Sequence, residues 1–201
     1  MINMLIDSLP TTVEVAGREF VIASDFRTSI LYEQLMQDPD IEERDKILAA
    51  SRLYFPDEFP GDYAETMNKI IWFYSCGKEL QEFQTDQSSK PKRNRFGGKR
   101  LYDYDIDAPY FYAAFLSQYG IDLQDVEYMH WWKFQALFLG LSENQRLSQI
   151  MEYRAIDISK IKNRTERERY AALQNQYRLP DIRSKKQKQH DVGSMFGVFA
   201  P

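Results

Sequence analysis

Residues 127–141 read EYMHWWKFQALFLGL, and this stretch decides how the chain folds. Its apolar side chains, with those just before it, lie at nearly every position around a helix. A helix that is apolar most of the way round is buried, or meets partners on more than one side. The sequence therefore predicts a central helix that starts at Asp122 and is closed by Gly140. Its adjacent tryptophans, roughly 100° apart, are expected to insert between different neighbours.

His130 is the residue of this stretch whose side chain type is most often used in catalysis. On the predicted helix Glu127 lies three residues earlier on the same face, where its carboxylate can reach the ring. A Glu-His pair without a nucleophile, a second histidine or a metal ligand beside it is more often a local structural contact. We therefore interpret His130 as a satisfied, partly buried histidine without a catalytic role.

The composition is that of a folded chain: 201 residues, 43% hydrophobic, with 13 Tyr, 13 Phe and 3 Trp. Such a chain buries roughly 70% of the surface that its unfolded form exposes, in one core or two small ones. No apolar run approaches the roughly 20 residues that cross a bilayer, and the start MINMLIDSLPTT lacks the regions of a signal peptide. We expect a cytosolic protein without membrane contact.

The segments before the central stretch have the patterns of a hairpin and three helices. Alternation on either side of Ala16-Gly17 indicates two short strands joined by a tight turn. The predicted elements are a hairpin over 12–22, a helix from the caps Ser24 or Asp25 to Met36, a helix over 41–55 that ends before Pro56, and a helix from Asp62 to Cys76 with Gly77 as its C-cap.

The segments after residue 100 also have helix start and stop signals. Pro109 fits the first turn of a helix that Gly120 ends. Ser142 with Gln145, and Thr165 with Glu168, have the spacing of a capping box. These signals predict one helix that runs to about Arg154 and a last one that stops before Pro180.

The predicted fold class is mainly α: a helical domain with a short N-terminal β-hairpin and a flexible basic linker in the middle. The linker reads QTDQSSKPKRNRFGGKR and has no periodicity. The predicted organisation is a hairpin with helices over 1–83, the linker over 84–100, a helical unit over 101–180 and a flexible basic and apolar tail over 181–201. Both helical units can also contribute to one domain.

Charge is distributed unevenly along the chain, whose formal net charge is −4. The linker carries positive charges and no acidic residue between positions 90 and 100, and a second basic segment covers 178–190. The remaining body is strongly acidic. The linker positions predicted to make electrostatic contacts are Lys90, Lys92, Arg93, Arg95, Lys99 and Arg100.

Several motifs of enzymes and metal sites are incomplete here. Asp103, Asp105 and Asp107 resemble the start of a calcium loop, but Ala108 replaces its glycine and Ala114 its bidentate carboxylate. We therefore interpret the three aspartates as acidic residues at a helix N-terminus. The sequence has no nucleophile elbow or HExxH, and residues 97–99 lack the first Gly and the Ser/Thr of a phosphate loop.

The chain is accordingly predicted not to be an enzyme and to need no cofactor or metal. Cys76 is its single cysteine, so an internal disulfide is impossible. One cysteine and two distant histidines leave almost nothing for a zinc site. We interpret Cys76 as a buried, inert thiol.

Five segments carry a family resemblance: SDFRT at 24–28, WFYSCGKE at 72–79, YDYDIDAPYFYAAFLSQYGIDL at 102–123, EYMHWWKFQALFLGLSE at 127–143 and MEYRAIDISKI at 151–161. Together they resemble a family of small proteins from long-tailed, siphovirus-type phages and prophages of Gram-positive bacteria. Members look like tail assembly chaperones, encoded beside the tape measure protein. None of the five segments is a catalytic motif.

The resemblance implies a helper that binds the tape measure protein in the host cell cytoplasm during tail morphogenesis and is absent from the mature virion. Tail tube subunits and a partner chaperone are further implied partners, and a homo-oligomer is expected. The candidate partner-binding residues are Tyr110, Phe111, Phe115, Met195, Phe196, Val198 and Phe199. For the first three a core role is favoured. For the tail, an exposed docking peptide and a segment packed on its own domain stay open.

The alternative is a phage nucleic-acid-binding or regulatory protein that uses the basic segments. The linker positives would contact phosphates and Phe96 would stack on a base. The acidic body repels the same polyanion, so nucleic acid is not the expected partner. Binding to nucleic acid predicts retention on a polyanion column that falls steeply with salt and is lost when the linker positives are neutralised.

Overall fold

The computed structural model describes residues 2–78 and 100–181. These ranges contain one hairpin, seven α-helices and a 3₁₀ turn at Ile158–Lys160. The elements are β1 Thr12–Val15, β2 Arg18–Val21, α1 Phe26–Gln37, α2 Glu43–Tyr54, α3 Tyr63–Tyr74, α4 Ala108–Tyr119, α5 Trp131–Leu139, α6 Arg146–Ala155 and α7 Arg164–Gln176. The predicted mainly α fold with an N-terminal hairpin is confirmed. Of the predicted linker and tail, the described residues include Arg100 and Asp181. The other residues of both segments lie outside the described residues.

The hairpin has the predicted position and turn. Strands β1 and β2 pair antiparallel, with Thr12 opposite Val21. Ala16 and Gly17 have φ of 50° and 73°, the positive values that a two-residue hairpin turn needs. The Ala16 amide donates to the Glu65 carboxylate of α3 over 2.9 Å. Because two strands alone are marginally stable, this tie to α3 and the burial of the inward face hold the hairpin in place.

Several of the predicted helix ends are found in the structure, including Gly140 at the C-cap of α5. The Asp25 side chain accepts from the Arg27 amide as N-cap of α1, and Asp62 accepts from the Glu65 amide as N-cap of α3. At the end of α4, Gly120 has φ of 67°, the left-handed conformation in which glycine carries no Cβ penalty. Each of these helix ends is formed by residues close together in the sequence, so the sequence alone predicts it.

The predicted start of the central helix at Asp122 is wrong, because α5 begins at Trp131 with His130 as its N-cap. The Arg27 side chain donates to the carbonyls of Leu123 and Val126, at 3.0 and 2.8 Å. These carbonyls would otherwise accept bonds within a helix. The preceding residues therefore form a loop fastened to the N-terminus of α1.

The two predicted capping boxes are also wrong. Helix α6 has Gln145 as its N-cap position without a side-chain cap, and the Ser142 amide instead donates to the Gln118 side chain over 2.9 Å. Helix α7 starts earlier than predicted, because the Asn163 side chain accepts from the Glu166 amide. Thr165 consequently lies within α7. In α7 another polar side chain, Asn163, provides the bond that defines the start, whereas α6 starts without a side-chain cap.

The core is one continuous apolar cluster with residues from the hairpin and from α1 to α6. Phe134 of α5 lies at its centre and stacks on Phe26 and Phe115, with ring centroids 4.9 Å apart in both pairs. Offset or edge-on aromatic pairs of this kind add to the stability gained by burial. None of the helices in residues 2–78 and 100–181 has the length and apolar character that a bilayer crossing requires.

Candidate interaction surface

The adjacent tryptophans cap the C-terminus of α3. Trp131 Nε1 donates to the Tyr74 carbonyl and Trp132 Nε1 to the Phe73 carbonyl, both over 2.8 Å. The last carbonyls of a helix have no partner within it, and both indoles are buried, so each bond satisfies two groups that would otherwise be costly to bury. The two indoles bond to different residues, but both of these residues lie at the end of α3. The pair is a structural joint between α3 and α5.

His130 supports the same joint. Its Nδ1 accepts from the Trp132 amide over 3.1 Å, which leaves Nε2 protonated to donate to the Pro10 carbonyl over 3.0 Å. Burial lowers the pKa of His130, so the ring is neutral at pH 7. The interpretation as a satisfied histidine is confirmed, although the ring is buried rather than partly buried. Pairing with Glu127 is wrong, because Glu127 lies in the loop before α5 and is exposed.

The acidic triplet has a different role from the one predicted. Asp107, at the N-cap position of α4, makes no side-chain cap. Its carboxylate instead forms a buried, two-pronged ion pair with Arg154, at 2.6 and 3.0 Å. Asp103 accepts from the amides of Asp105 and Ile106. No cluster of three or more potential metal ligands occurs in the part of the chain that the structure describes.

Arg154 connects three parts of the C-terminal region. Besides Asp107, its guanidinium donates to the Leu101 carbonyl over 2.9 Å and to the Tyr177 carbonyl over 2.6 Å. Both ionic side chains are at most 5% exposed. The pair thereby holds the segment before α4, the end of α6 and the residue after α7 together. Nothing in the sequence marks this contact, because its partners are 47 residues apart.

A second buried carboxylate lies between α1 and α3. Glu33 accepts from the Tyr74 hydroxyl and from the side-chain amide of Gln37. Burial raises the pKa of Glu33, and the positive charge of Arg100 partly offsets this effect. Arg100 forms an ion pair with Asp103, and its Nε and Nη1 atoms are buried without a hydrogen-bond partner. Arg100, predicted as an electrostatic contact, thus lies against acidic groups of its own chain.

Glu33 predicts a specific pH dependence of stability. The pKa of Glu33 is higher in the folded chain than in the unfolded chain, where it is about 4.3. Between these two pKa values the folded chain holds the proton and the unfolded chain does not. The free energy of unfolding therefore falls as pH rises through this range and levels off above the folded pKa. We expect Glu33→Gln to remove this loss, since an amide oxygen still accepts from Tyr74. Urea unfolding between about pH 4 and pH 7 measures it. An unchanged pH slope, equal to that of exposed Glu14→Gln, would contradict the prediction.

The predicted partner-binding residues on α4 lie mainly in the core. Phe111 and Phe115 are 4% and 0% exposed, and Tyr110 is half-buried against the cluster. The burial of the two phenylalanines agrees with the core role that the sequence favours. The tail residues Met195, Phe196, Val198 and Phe199 and the linker residues Lys90, Lys92, Arg93, Arg95 and Lys99 lie outside the described residues.

The opposite face of α4 is apolar and exposed. Pro109, Ala113 and Leu116 lie on it, since at about 100° per residue they point away from the buried phenylalanines. Leu116 is 42% exposed, and Ile106, in the turn that enters the helix, is 48% exposed. Between Asp107 and Asp122 the chain has no charged residue. We call the surface of Ile106, Pro109, Ala113 and Leu116 the α4 face.

Acidic groups border the α4 face. Asp105 precedes Ile106, and at the other end the Tyr112 hydroxyl donates to Asp122 over 2.8 Å. The bonds from the Gln124 amide and Tyr112 lower the pKa of Asp122, so it is ionised at pH 7. An apolar stripe with negative ends fits an amphipathic helix whose apolar stripe is flanked by basic residues.

The residues of the α4 face were not found from the sequence, although a signal exists. Helix α4 is apolar on all sides, and assigning Phe111 and Phe115 to the core leaves an apolar stripe on the opposite side. A helix of this type is buried on both sides or meets a partner. In the described residues one side of α4 remains uncovered.

Comparison with known protein families gives a match over most of the chain. A family model described as Bacteriophage Gp15 protein matches residues 5–179. No curated protein and no solved structure matches the chain. The matched range includes every helix of the described residues and the hairpin.

Proposed function

The chain belongs to the Bacteriophage Gp15 protein family, and from this premise we propose that it is a tail assembly chaperone that binds the tape measure protein. In this proposal it acts in the host cell cytoplasm during tail morphogenesis, has no catalytic activity and is absent from the mature virion. Tail tube subunits and a partner chaperone are further proposed partners. The resemblance of its sequence segments to such chaperones is the basis for this finer assignment.

The observation that carries the proposal is the exposed, uncharged α4 face. A protein that keeps a long, helical client soluble needs a surface that covers the apolar stripe of an amphipathic helix. The α4 face supplies aliphatic side chains in the turn before α4 and along about two turns of the helix, and its acidic ends disfavour acidic clients. Exposed apolar patches of this kind mark interaction sites more often than chance.

Co-expression with the tape measure protein of the same phage tests the proposal. We expect the client to become soluble and to co-purify with the wild-type chain. An insoluble, unbound client would contradict the proposal. It would favour the alternative function, which is nucleic-acid binding through the basic segments. A polyanion column at several salt concentrations then decides that alternative.

The α4 face makes a specific prediction for client binding. Ala113→Glu places a charge in the middle of the apolar stripe, and we expect at least tenfold weaker binding, about 1.4 kcal/mol. The matched control is Ala172→Glu, which adds the same charge to an exposed alanine of α7. Both changes are at exposed helix positions and should alter stability by less than about 0.5 kcal/mol. Equal binding by both variants would exclude the α4 face as the client site.

The tail is tested separately. Deletion of residues 193–201 removes Met195, Phe196, Val198 and Phe199. If these residues form a docking peptide, the deletion lowers client solubility without altering the α4 face. Unchanged client solubility would reject the docking peptide and leave the α4 face as the proposed site.

A further inference from the structure

The first residues of the chain form an ordered, exposed aliphatic turn. Leu5 is 95% exposed and Ile6 is 81% exposed, and Met4 beside them is 43% exposed. The turn is held by the Asn3 side chain, which accepts from the Leu5 amide over 3.0 Å, and by Asp7, which accepts from the Asn3 amide over 2.7 Å. We call Met4, Leu5 and Ile6 the N-terminal knob.

The knob is anchored to the core on both sides. Ile2 and Leu9 pack against the apolar cluster, and the Pro10 carbonyl accepts from buried His130. The backbone therefore presents Leu5 and Ile6 to solvent in a defined position. Ordering two large aliphatic side chains on a surface gives little stability unless another surface covers them.

An exposed groove lies along the outer face of α2. It has a volume of about 540 Å³ and is lined by Asp45, Leu48, Ala49, Arg52 and Leu53. These residues have the spacing i, i+3, i+4, i+7 and i+8, which places them on one side of the helix. Ala49 leaves room between the two leucines. We call this surface the α2 groove.

We propose that the N-terminal knob of one copy of this chain inserts into the α2 groove of a second copy. The aliphatic knob matches the apolar floor of the groove in chemistry. One charge pair also matches: Asp7 adjoins the knob, and Arg52 on the groove wall makes no ion pair within the described residues. The Arg52 end of the groove therefore receives Asp7, away from Asp45, which lies two helical turns earlier. Leu5 is almost fully exposed, so the knob does not occupy the α2 groove of its own copy.

This contact is heterologous, because it joins two different surfaces. Each copy bears one knob and one groove, so successive copies join head to tail. The assembly is then either a closed ring or an open chain. An isologous contact between two knobs would behave differently, since it would use one surface only. The difference makes the proposal testable without knowledge of any other partner.

Sedimentation velocity of the full chain over a range of concentrations tests the proposal, with no client present. We expect wild type to self-associate, and the knob variant Leu5→Asp with Ile6→Asp to associate at least tenfold more weakly. The groove variant Ala49→Lys should show the same loss of association. Its stability is helped by Asp45, which lies four residues earlier and forms a favourable charge pair with the new lysine. The controls are Val21→Asp, at a 68% exposed position, and Ala172→Lys.

Mixing the two variants distinguishes the heterologous contact from other modes. The intact groove of the knob variant accepts the intact knob of the groove variant, so the mixture should form pairs that neither variant forms alone. A monomeric wild type, an unaffected groove variant or an unpaired mixture would each overturn the proposal. If circular dichroism shows that Ala49→Lys is unfolded, Arg52→Glu replaces it. Because no client is involved, failure here leaves the chaperone proposal intact.

Discussion

Asp107→Ala is expected to lower the free energy of unfolding by about 3–5 kcal/mol, the effect of leaving a buried charge without its partner. Asp107 and Arg154 are almost fully buried and share two hydrogen bonds. Removing the carboxylate leaves the guanidinium buried with two backbone carbonyls as partners. The loss includes no cap, because Asp107 makes no side-chain cap to α4. The expected shift in Tm is roughly 6–20 °C.

Two further variants separate the ion pair from other effects of the change. Asp105→Ala removes a neighbouring exposed carboxylate and should alter stability by less than about 0.5 kcal/mol. Combining Asp107→Leu with Arg154→Met removes both charges and should restore part of the stability, since replacing a buried pair by apolar residues is often near neutral. Urea unfolding measures all three variants. A loss below about 1 kcal/mol for Asp107→Ala would show that the pair is not desolvated as described.

Gly77→Ala is the second change with a large expected effect, about 2–5 kcal/mol of destabilisation. Gly77 has φ of 78°, and a Cβ there would lie 2.9 Å from the Cη2 atom of Trp132. The indole cannot move away freely, because its Nε1 donates to the Phe73 carbonyl at the end of α3. Alanine therefore adds backbone strain and a clash at the joint between α3 and α5.

Gly120→Ala is the matched control for this prediction. Gly120 has φ of 67°, but a Cβ there would meet nothing within 4 Å. The loss of stability in Gly120→Ala is due to backbone strain alone. The difference in free energy of unfolding between Gly77→Ala and Gly120→Ala therefore measures the clash with Trp132. Trp132→Phe in the Gly77→Ala background shortens the ring and should make the alanine less costly than in the wild-type background. Equal losses for Gly77→Ala and Gly120→Ala would mean that the joint tolerates the extra methyl group.

The sequence predicted the architecture well where local rules decide it. Ala16-Gly17 predicted the turn, and Asp25, Asp62 and Gly120 predicted helix ends that the structure contains. The capping boxes at Ser142 and Thr165 failed, although their spacing was correct. Spacing alone did not show that Asn163 caps α7, or that α6 starts without a side-chain cap.

The candidate interaction surface was predicted only in part. The sequence identified α4 as a helix with apolar residues suited to a partner, but its candidates Phe111 and Phe115, for which it favours a core role, are buried. Leu116 and Ala113 on the opposite side are exposed. Because α4 is apolar on all sides, its periodicity does not show which side meets the core. The other elements that pack around α4 decide this.

The amino-acid sequence by itself determined the mainly helical class, the hairpin and the burial of the aromatic stretch, since these follow from local backbone preferences and from the tendency of apolar residues to leave water. Only the tertiary structure decided that α5 begins at Trp131, that Arg154 binds Asp107, and which side of α4 stays exposed. Each of these depends on groups far apart in the chain. Arg27, for example, removes two carbonyls from a possible helix almost 100 residues away. Such contacts exist only when the chain is folded, and no local pattern encodes them.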